Sequence, residues 1–246
     1  HLHVHTEYSL FDGTCRIKEL VSHVKDMGQT ALAITDHGVM YGAVYLYKEC
    51  MAQGIKPIIG CEVYVTRGSR FEKRAGGAKE KLAHLILLAE NNEGYQNLIK
   101  ICSKSWTEGY YFKPRADHEL LQKYHKGLIA LSACVGGELP QAILNHDMEK
   151  ARKVIQFYMD TFGKDNYFIE LQNHGLPEEA AVRPVLASLA REYGLGLVAT
   201  NDFHYTRKED AGSQEIKLCI STGKTLDDPY HFHFANNEFY CKSGAE

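Results

Sequence analysis

Short apolar runs rich in β-forming residues alternate along this chain with longer stretches whose apolar residues recur every three or four positions. The runs fall at 2–5, 31–35, 57–65, 85–89, 128–132, 167–171 and 195–200. Their lengths suit buried strands. Between them, 16–27 sets Ile17, Leu20, Val21 and Val24 on one helical face and stops at Gly28. The stretch 44–53 stops at Gly54, 95–104 carries Leu98, Ile101 and Cys102, and 148–162 carries Ala151, Val154, Ile155, Tyr158 and Met159 before Gly163. A further helix over 177–193 starts on Pro177 and stops at Gly194. Proline in the first turn and glycine just past the last are the expected helix boundaries.

Repeated strand–helix alternation predicts parallel strands joined by right-handed crossovers. Seven such units fit an α/β fold of the closed or nearly closed barrel kind, in which active sites sit at the carboxyl ends of the strands. Two segments interrupt the rhythm. Residues 67–81 form a Gly-rich basic loop with Arg67, Arg70, Lys73, Arg74, Lys79 and Lys81, and residues 106–115 hold Trp106, Tyr110, Tyr111 and Phe112. After Tyr205 the pattern dissolves. Residues 206–246 therefore read as an appendage to a barrel spanning 1–205, with one short helix near 214–220.

Composition narrows the function classes. The 246 residues suffice for one barrel with a large core. A formal charge of −3 argues against a generic nucleic-acid binder, so any such contact must be local, through a basic loop or bound metal. The seven cysteines contain no Cys-x-x-Cys and read as reduced thiols, mostly buried, with Cys134 set apart by its place at a strand tip. No apolar run approaches the roughly 18 residues of a membrane span, and no basic-then-apolar leader opens the chain. The expectation is a soluble, cytoplasmic protein without membrane partners. The chain opens at His1 directly on the first run, as in a chain trimmed from a longer one.

The chemistry gathers at the strand tips. His3 and His5 are two apart in an extended run, so both imidazoles share a face. A lone His-x-His is more often a pair of surface histidines; here its company outweighs that. Asp36-His37 closes the second run, Glu62 lies within the third, Cys134 follows the fifth, and Asp202-Phe203-His204 follows the seventh. Asp and Glu are rarely buried unless paired or ligating. Imidazole and carboxylate together suit zinc, manganese or iron, and a shared carboxylate can bridge two metals about 3.5–4 Å apart. Such a site activates water and stabilises charge on phosphate, which predicts phosphoester hydrolysis.

The ordered segments His-Val-His-Thr, Thr-Asp-His-Gly, Gly-Cys-Glu, Ala-His-Leu-Ile-Leu-Leu-Ala, Ser-Ala-Cys and Asn-Asp-Phe-His resemble the motifs of the polymerase-and-histidinol-phosphatase (PHP) family, from residue 1 to about 205. His-Leu-His-Val-His-Thr-Glu-Tyr-Ser-Leu-Phe-Asp-Gly, Gly-Gly-Glu-Leu-Pro and Lys-Thr-Leu-Asp-Asp-Pro are similar, more narrowly, to the N-terminal PHP domain of the bacterial DNA polymerase III alpha-subunit family. Residues 239–243 resemble a lead-in to the polymerase palm. The resemblance implies a distorted (β/α)₇ barrel holding two or three divalent transition metals. Carried over position by position, the ligands are His3, His5, Asp12, His37, Glu62, His84, Cys134, Asp202 and His204. Glu62 would bridge two metals, with His3, His5 and Asp202 on one and His84 and Cys134 on the other. Asp12, His37 and His204 would hold a third. His84 and Asp12 rest on the resemblance: His84 precedes its apolar run, and Asp12 reads locally as part of an Asp-Gly turn.

The implied activity is 3′→5′ exonucleolytic proofreading on a DNA 3′ end. Asp202 or His204 would assist proton transfer, and the rest of the polymerase chain and replisome subunits would be partners. No Asp-x-Asp occurs, so these residues supply no paired palm aspartates for polymerisation. Two alternatives stand beside this reading. One is a free-standing phosphatase on a small phosphomonoester such as histidinol phosphate. The other is a non-catalytic scaffold of the polymerase. Arg67, Arg70, Lys113, Arg115 and His174 are candidate substrate contacts, weighed against a solvated loop and satisfied rim residues. The aromatics of 106–115 suit base stacking or packing under the loop. His231 and His233 read as surface residues.

Overall fold

A computed structural model describes residues 1–73 and 82–246; Arg74, Lys79 and Lys81 of the basic loop lie outside the described residues. The strands are β1 (Ala31–Ile34), β2 (Lys56–Val65), β3 (Ala83–Ala89), the two-residue β4 (Arg115–Ala116), β5 (Leu128–Leu131), β6 (Tyr167–Leu171) and β7 (Gly196–Ala199). The helices are α1 (Ile17–Asp26), α2 (Ala43–Gln53), α3 (Asn92–Thr107), α4 (His118–Lys123), α5 (Glu138–Leu144), α6 (Met148–Phe162), α7 (Pro177–Tyr193) and α8 (Ala211–Thr222). The short helices α4 and α5 carry too few turns to show a periodic apolar stripe, and the sequence pattern does not predict them.

The sheet runs β1-β2-β3-β5-β6-β7, with β4 paired to β2, and curls into an incomplete, distorted barrel. Residues 2–5 form no full strand. They nevertheless fill the gap between β1 and the segment after β7: Val4 bridges Phe203, His5 N–H donates to Phe203 O (3.0 Å), and Thr35 N–H donates to Val4 O (3.0 Å).

The all-parallel expectation fails at one strand. β3 runs antiparallel to both β2 and β5, while the β1–β2, β5–β6 and β6–β7 pairs are parallel. Among the described residues between β2 and β3 there is no helix, and β3 pairs directly with β2 as an antiparallel neighbour. The amino end of β3 therefore lies beside the carboxyl end of β2, with His84 opposite Tyr64.

Side-chain alternation divides the layers. Leu85 and Leu87 point outward into the main core beneath α3, α5, α6 and α7, with Leu98, Ile155, Tyr158 and Leu186. A second core under α1 and α2 joins Val4, Leu20, Leu32, Leu46, Phe203 and Cys241. Inside the barrel, Ala33, Ile86, Leu88 and Leu131 make a dry floor. His84, on the same face as Ile86, opens the polar layer above it.

The segment after Tyr205 is tied to the barrel. Phe239 O accepts from His204 N–H (2.9 Å), Tyr205 bridges Tyr240, and the Asn201 amide donates to Glu238 O and Tyr240 O (3.1 and 2.6 Å). These bonds fix the backbone on both sides of Asp202.

Candidate metal centre

Nine potential ligands converge on one mouth of the barrel, and Glu62 sits among them. Its Oε1 lies 2.7 Å from His84 Nδ1 and 3.5 Å from His3 Nε2; its Oε2 lies 3.6 Å from His5 Nε2 and against His37 Nδ1. Asp202 Oδ1 is 3.0 Å from both His3 Nε2 and His5 Nε2. Asp12 Oδ2 lies 3.2 Å from His37 Nε2 and 3.7 Å from His204 Nε2. Cys134 Sγ is 3.7 Å from His84 Nδ1. Three sets of donor atoms each fall within 4.8 Å of one another: His3, His5 and Asp202; Glu62, His84 and Cys134; and His5, His37 and His204.

Each ligand has a local cause. His84 reaches the site because β3 is reversed, so a residue that precedes its apolar run sits at the same rim as those that follow theirs. Ala133 and Asp202 are non-glycine residues at φ +64° and +40°. The chain leaves β5 and β7 through these unfavourable left-handed turns, which aim Cys134 and Asp202 inward. Gly136 leaves room beside them: a Cβ there would lie 3.2 Å from His84 Nδ1 and 3.4 Å from Cys134 Sγ.

Surrounding residues orient the ligands. Glu170 Oε1, fully buried, lies 2.7 Å from His3 Nδ1 and also accepts from Gln172 and Thr200. It holds the proton on Nδ1 and leaves Nε2 for the site, the carboxylate–histidine arrangement of metal proteins. Ser9 Oγ lies 3.0 Å from His5 Nδ1 and donates to Asp36 Oδ1 (2.8 Å). Asp36 also accepts from Thr6 N–H and Thr6 Oγ (2.7 and 2.8 Å), which holds the 6–9 turn in place. Glu170 lies inside a β6 run with no motif around it, so only its partner across the chain reveals its role.

The donors fit divalent cations on a specific observation. Among the described residues, buried side-chain atoms without a hydrogen-bond partner are His3 Nε2, His5 Nε2, Asp12 Oδ1, His37 Nδ1, both oxygens of Glu62, Asp202 Oδ1, Glu170 Oε2 behind the site, and Tyr167 OH elsewhere. Orphaned buried polar atoms are rare and costly, and here they face one another. Burial alone would raise the Glu62 carboxyl, but His84 and His37 outweigh it and hold it well below the usual range. Asp202 is held down in the same way, chiefly by His3. Burial, followed by the nearby His37 and His204, pushes His5 down to about 3. It therefore presents a neutral ring, the form that ligates. Burial, then Asp202 and Glu62, pushes the Cys134 thiol well up. A bound cation would invert that balance and favour thiolate. Imidazole, carboxylate and one sulfur suit zinc, manganese or iron.

The candidate substrate residues divide. Arg70 is buried, with Nε 2.8 Å from Glu108 and Nη1 3.0 Å from Asp117. Arg115 is buried and donates to the carbonyls of Gly109, Arg70 and Glu72, each at 2.8 Å. Both guanidiniums brace loops. His174 is buried between Glu179 (2.5 Å from Nδ1) and Asn201 O (2.6 Å from Nε2), where it positions the segment carrying Asp202. Lys113 and Arg67 are exposed. Trp106 donates to Gly38 O (2.8 Å) and stacks on Tyr110, anchoring the turn after His37. Tyr111, Phe112, Lys113 and Arg115 line a cavity of about 330 Å³ together with Tyr64 and the candidate ligand His84.

Side chains able to ligate metal, gathered on an incomplete, distorted α/β barrel, define the class, and sequence comparison gives its family. The PHP domain model matches residues 1–174, and the chain belongs to that family. It is similar to the DNA polymerase III subunit alpha of Treponema pallidum, 49% identical over 246 residues, and to that of Thermus aquaticus, 49% identical over 249. Both alignments cover 100% of this chain but 21% and 20% of the relatives, so the chain spans about a fifth of their length. The fold also resembles a Bifidobacterium adolescentis protein described as a candidate metal-dependent phosphoesterase (TM-score 0.53, 15% identity, 82% of this chain and 86% of that one). A Chromobacterium violaceum amidohydrolase, described with bound sulfate and no metal, gives the same TM-score of 0.53 at 16% identity, with the same coverage of each chain. No helix among the described residues is long and apolar enough to cross a membrane.

Proposed function

We propose that this domain is a metal-dependent phosphoesterase acting on the 3′ end of DNA, as the proofreading exonuclease of a replicative polymerase. The observation that carries the reading is the convergence of nine potential ligand side chains, six of which (His3, His5, Asp12, His37, Glu62 and Asp202) present buried polar atoms without partners. His3, His5 and Asp202 would hold one ion and His84 and Cys134 a second, with Glu62 between them. Asp12, His37 and His204 would hold a third. When bound, two or three such ions supply Lewis-acid activation of water and neutralise charge on the phosphoryl oxygens.

The chain's own residues do the rest. Glu170 and Ser9 fix the rings of His3 and His5. The Asp202 carbonyl holds His204 Nδ1 at 2.8 Å, leaving Nε2 toward Asp12 and the site. Asp202 or His204 is then placed to move the proton of the attacking water. Lys113 Nζ lies 2.8 Å from Tyr64 OH and 4.3 Å from that ring's centroid, so a cation stands beside His84. Tyr111 and Phe112 extend an aromatic wall from it. A wall of that kind favours a nucleotide, whose base has a face to stack, over a small aliphatic phosphomonoester. The remainder of the polymerase chain and other replisome subunits are the partners this reading implies, in the cytoplasm.

Purified protein should hydrolyse a 3′-mispaired DNA primer with added zinc or manganese, lose the activity in chelator, and turn over histidinol phosphate far more slowly. The double variant Asp202→Asn/His204→Ala should be inactive. Full activity in that variant would overturn the mechanism, and faster hydrolysis of histidinol phosphate would move the reading to a small-molecule phosphatase. Less than one transition metal per chain, with stability unchanged in chelator, would indicate a scaffold.

A further inference from the structure

Among the described residues, one more group of potential ligand side chains lies outside the barrel mouth. Glu215, His231 and His233 offer donor atoms within 4.8 Å of one another. Glu215 stands on α8, while both histidines come from the irregular segment beyond it. His231 Nε2 is 2.7 Å from Glu215 Oε1, and the two imidazoles stand 5.2 Å apart, centroid to centroid.

The surroundings of His231 prepare it to ligate. Its Nδ1 lies 2.6 Å from Asp228 O, and its own N–H donates to the same carbonyl (3.0 Å). A carbonyl only accepts, so the ring proton belongs on Nδ1 and Nε2 is aimed at Glu215. That is how proteins set the tautomer of a metal-bound histidine. Asp228 is held in turn by Lys224 Nζ (2.7 Å) and Tyr230 N–H (2.8 Å), which shapes the turn that presents the ring.

The segment has two sides. His231 and His233 alternate with Phe232 and Phe234. Phe234 packs edge-on against the site ligand His204 (4.9 Å) and against Phe239 (4.7 Å), and Phe232 lies 6.4 Å from Phe11. α8 braces the loop that carries Asp12: Gln214 Nε2 donates to Asp12 O (3.4 Å), Lys217 Nζ to Ser9 O (3.3 Å), and Ser221 Oγ to Phe11 O (2.8 Å). Fastening 231–233 to α8 therefore fastens two walls of the Asp12–His37–His204 corner to each other.

We propose that Glu215, His231 and His233 form a second, peripheral site for a divalent transition cation of the zinc class, with solvent completing the shell, which clips residues 231–234 onto α8. Two imidazoles and one carboxylate suit that class. The three residues are only partly buried or exposed, so this ion should exchange freely, unlike ions in the buried central site.

The test is zinc stoichiometry of the intact chain by equilibrium dialysis and elemental analysis, with the ring-nitrogen NMR signals of His231 and His233 followed during titration. Wild-type protein should bind one zinc more than either His233→Ala or His231→Ala/His233→Ala, and both imidazole signals should shift with the weakest-binding equivalent. The central ions should be retained in both variants. His233→Ala keeps the His231–Glu215 pair and so controls for loss of folding. Equal stoichiometry in wild type and variants, or unshifted imidazole signals, would reduce the group to an imidazolium–carboxylate pair and overturn the proposal. A failed central site would show separately, as loss of tightly held metal with the exchangeable equivalent still present.

Discussion

Two clusters of buried charge stand within a few residues of β2, and they are closed in opposite ways. Arg70, shortly after the strand, meets Glu108 and Asp117, and Asp117 also accepts from the backbone N–H groups of Arg70 (2.8 Å) and Leu120 (3.0 Å). None of its side-chain atoms is among the buried groups left without a partner. Around Glu62 the charges are no fewer, yet most of the converging atoms are orphaned. A guanidinium carries five donors and can complete a carboxylate's shell by itself. An imidazole brings one lone pair or one proton per nitrogen, so five rings and three carboxylates turned toward one point leave a gap that a polyvalent cation fits. Burial does not separate an ion-pair network from a metal site; unanswered lone pairs do.

The strongest test of that contrast removes the central oxygen pair. Glu62→Gln should shed metal and lower phosphoester hydrolysis by about a hundredfold or more, since loss of supporting groups alone costs about 10–100-fold at metal sites. Elemental analysis beside activity measures it, and unchanged metal content would break the comparison. Arg70→Ala should leave metal content intact but destabilise the fold by about 3 kcal/mol, because it strands two carboxylates. Urea melts with and without chelator check this, and a loss that depends on metal would join the two clusters into one.

Smaller effects sharpen the picture. Glu170→Gln should weaken metal affinity about tenfold through His3 while leaving the fold intact, read by competition against a chromophoric chelator. pH gives the mildest signal. Burial would lower His3 and His37, but Asp202 and Glu170 for the first, and Glu62 and Asp12 for the second, raise both well above the ordinary value. In chelated protein that contribution is complete below about pH 6.5 and is lost as pH rises through the raised folded values. Bound cations would replace those protons. The gain in Tm on adding metal should therefore grow as pH rises above about 6.5; a flat or shrinking gain would show that protons and metal do not compete there.

Much of this was legible without coordinates. Periodicity located most of the strands and the long helices. The pair His3/His5 announces a site because i and i+2 share a face in extended chain, and Asp202/His204 repeats that spacing at the end of the seventh run. Arg70 misled, since a basic residue in a loop reads as solvated until its acceptors are seen. Gln214 and Glu215 gave no signal in the sequence, each needing a partner from another segment, and His231 read as a surface residue until its contact with Glu215 was seen.

What the sequence determined by itself was the donor inventory, the alternation of strand and helix, and the local faces on which His3 and His5 lie. Those follow from short-range geometry, in which each residue's neighbours are fixed by the period of its own element. The tertiary structure decided direction and company. The reversal of β3 brought His84 to the mouth. Left-handed turns at Ala133 and Asp202 aimed two ligands inward. Glu170, far along the chain, was set behind His3. Strand direction and the orphaning of a lone pair depend on residues distant in sequence, and no local pattern carries that information.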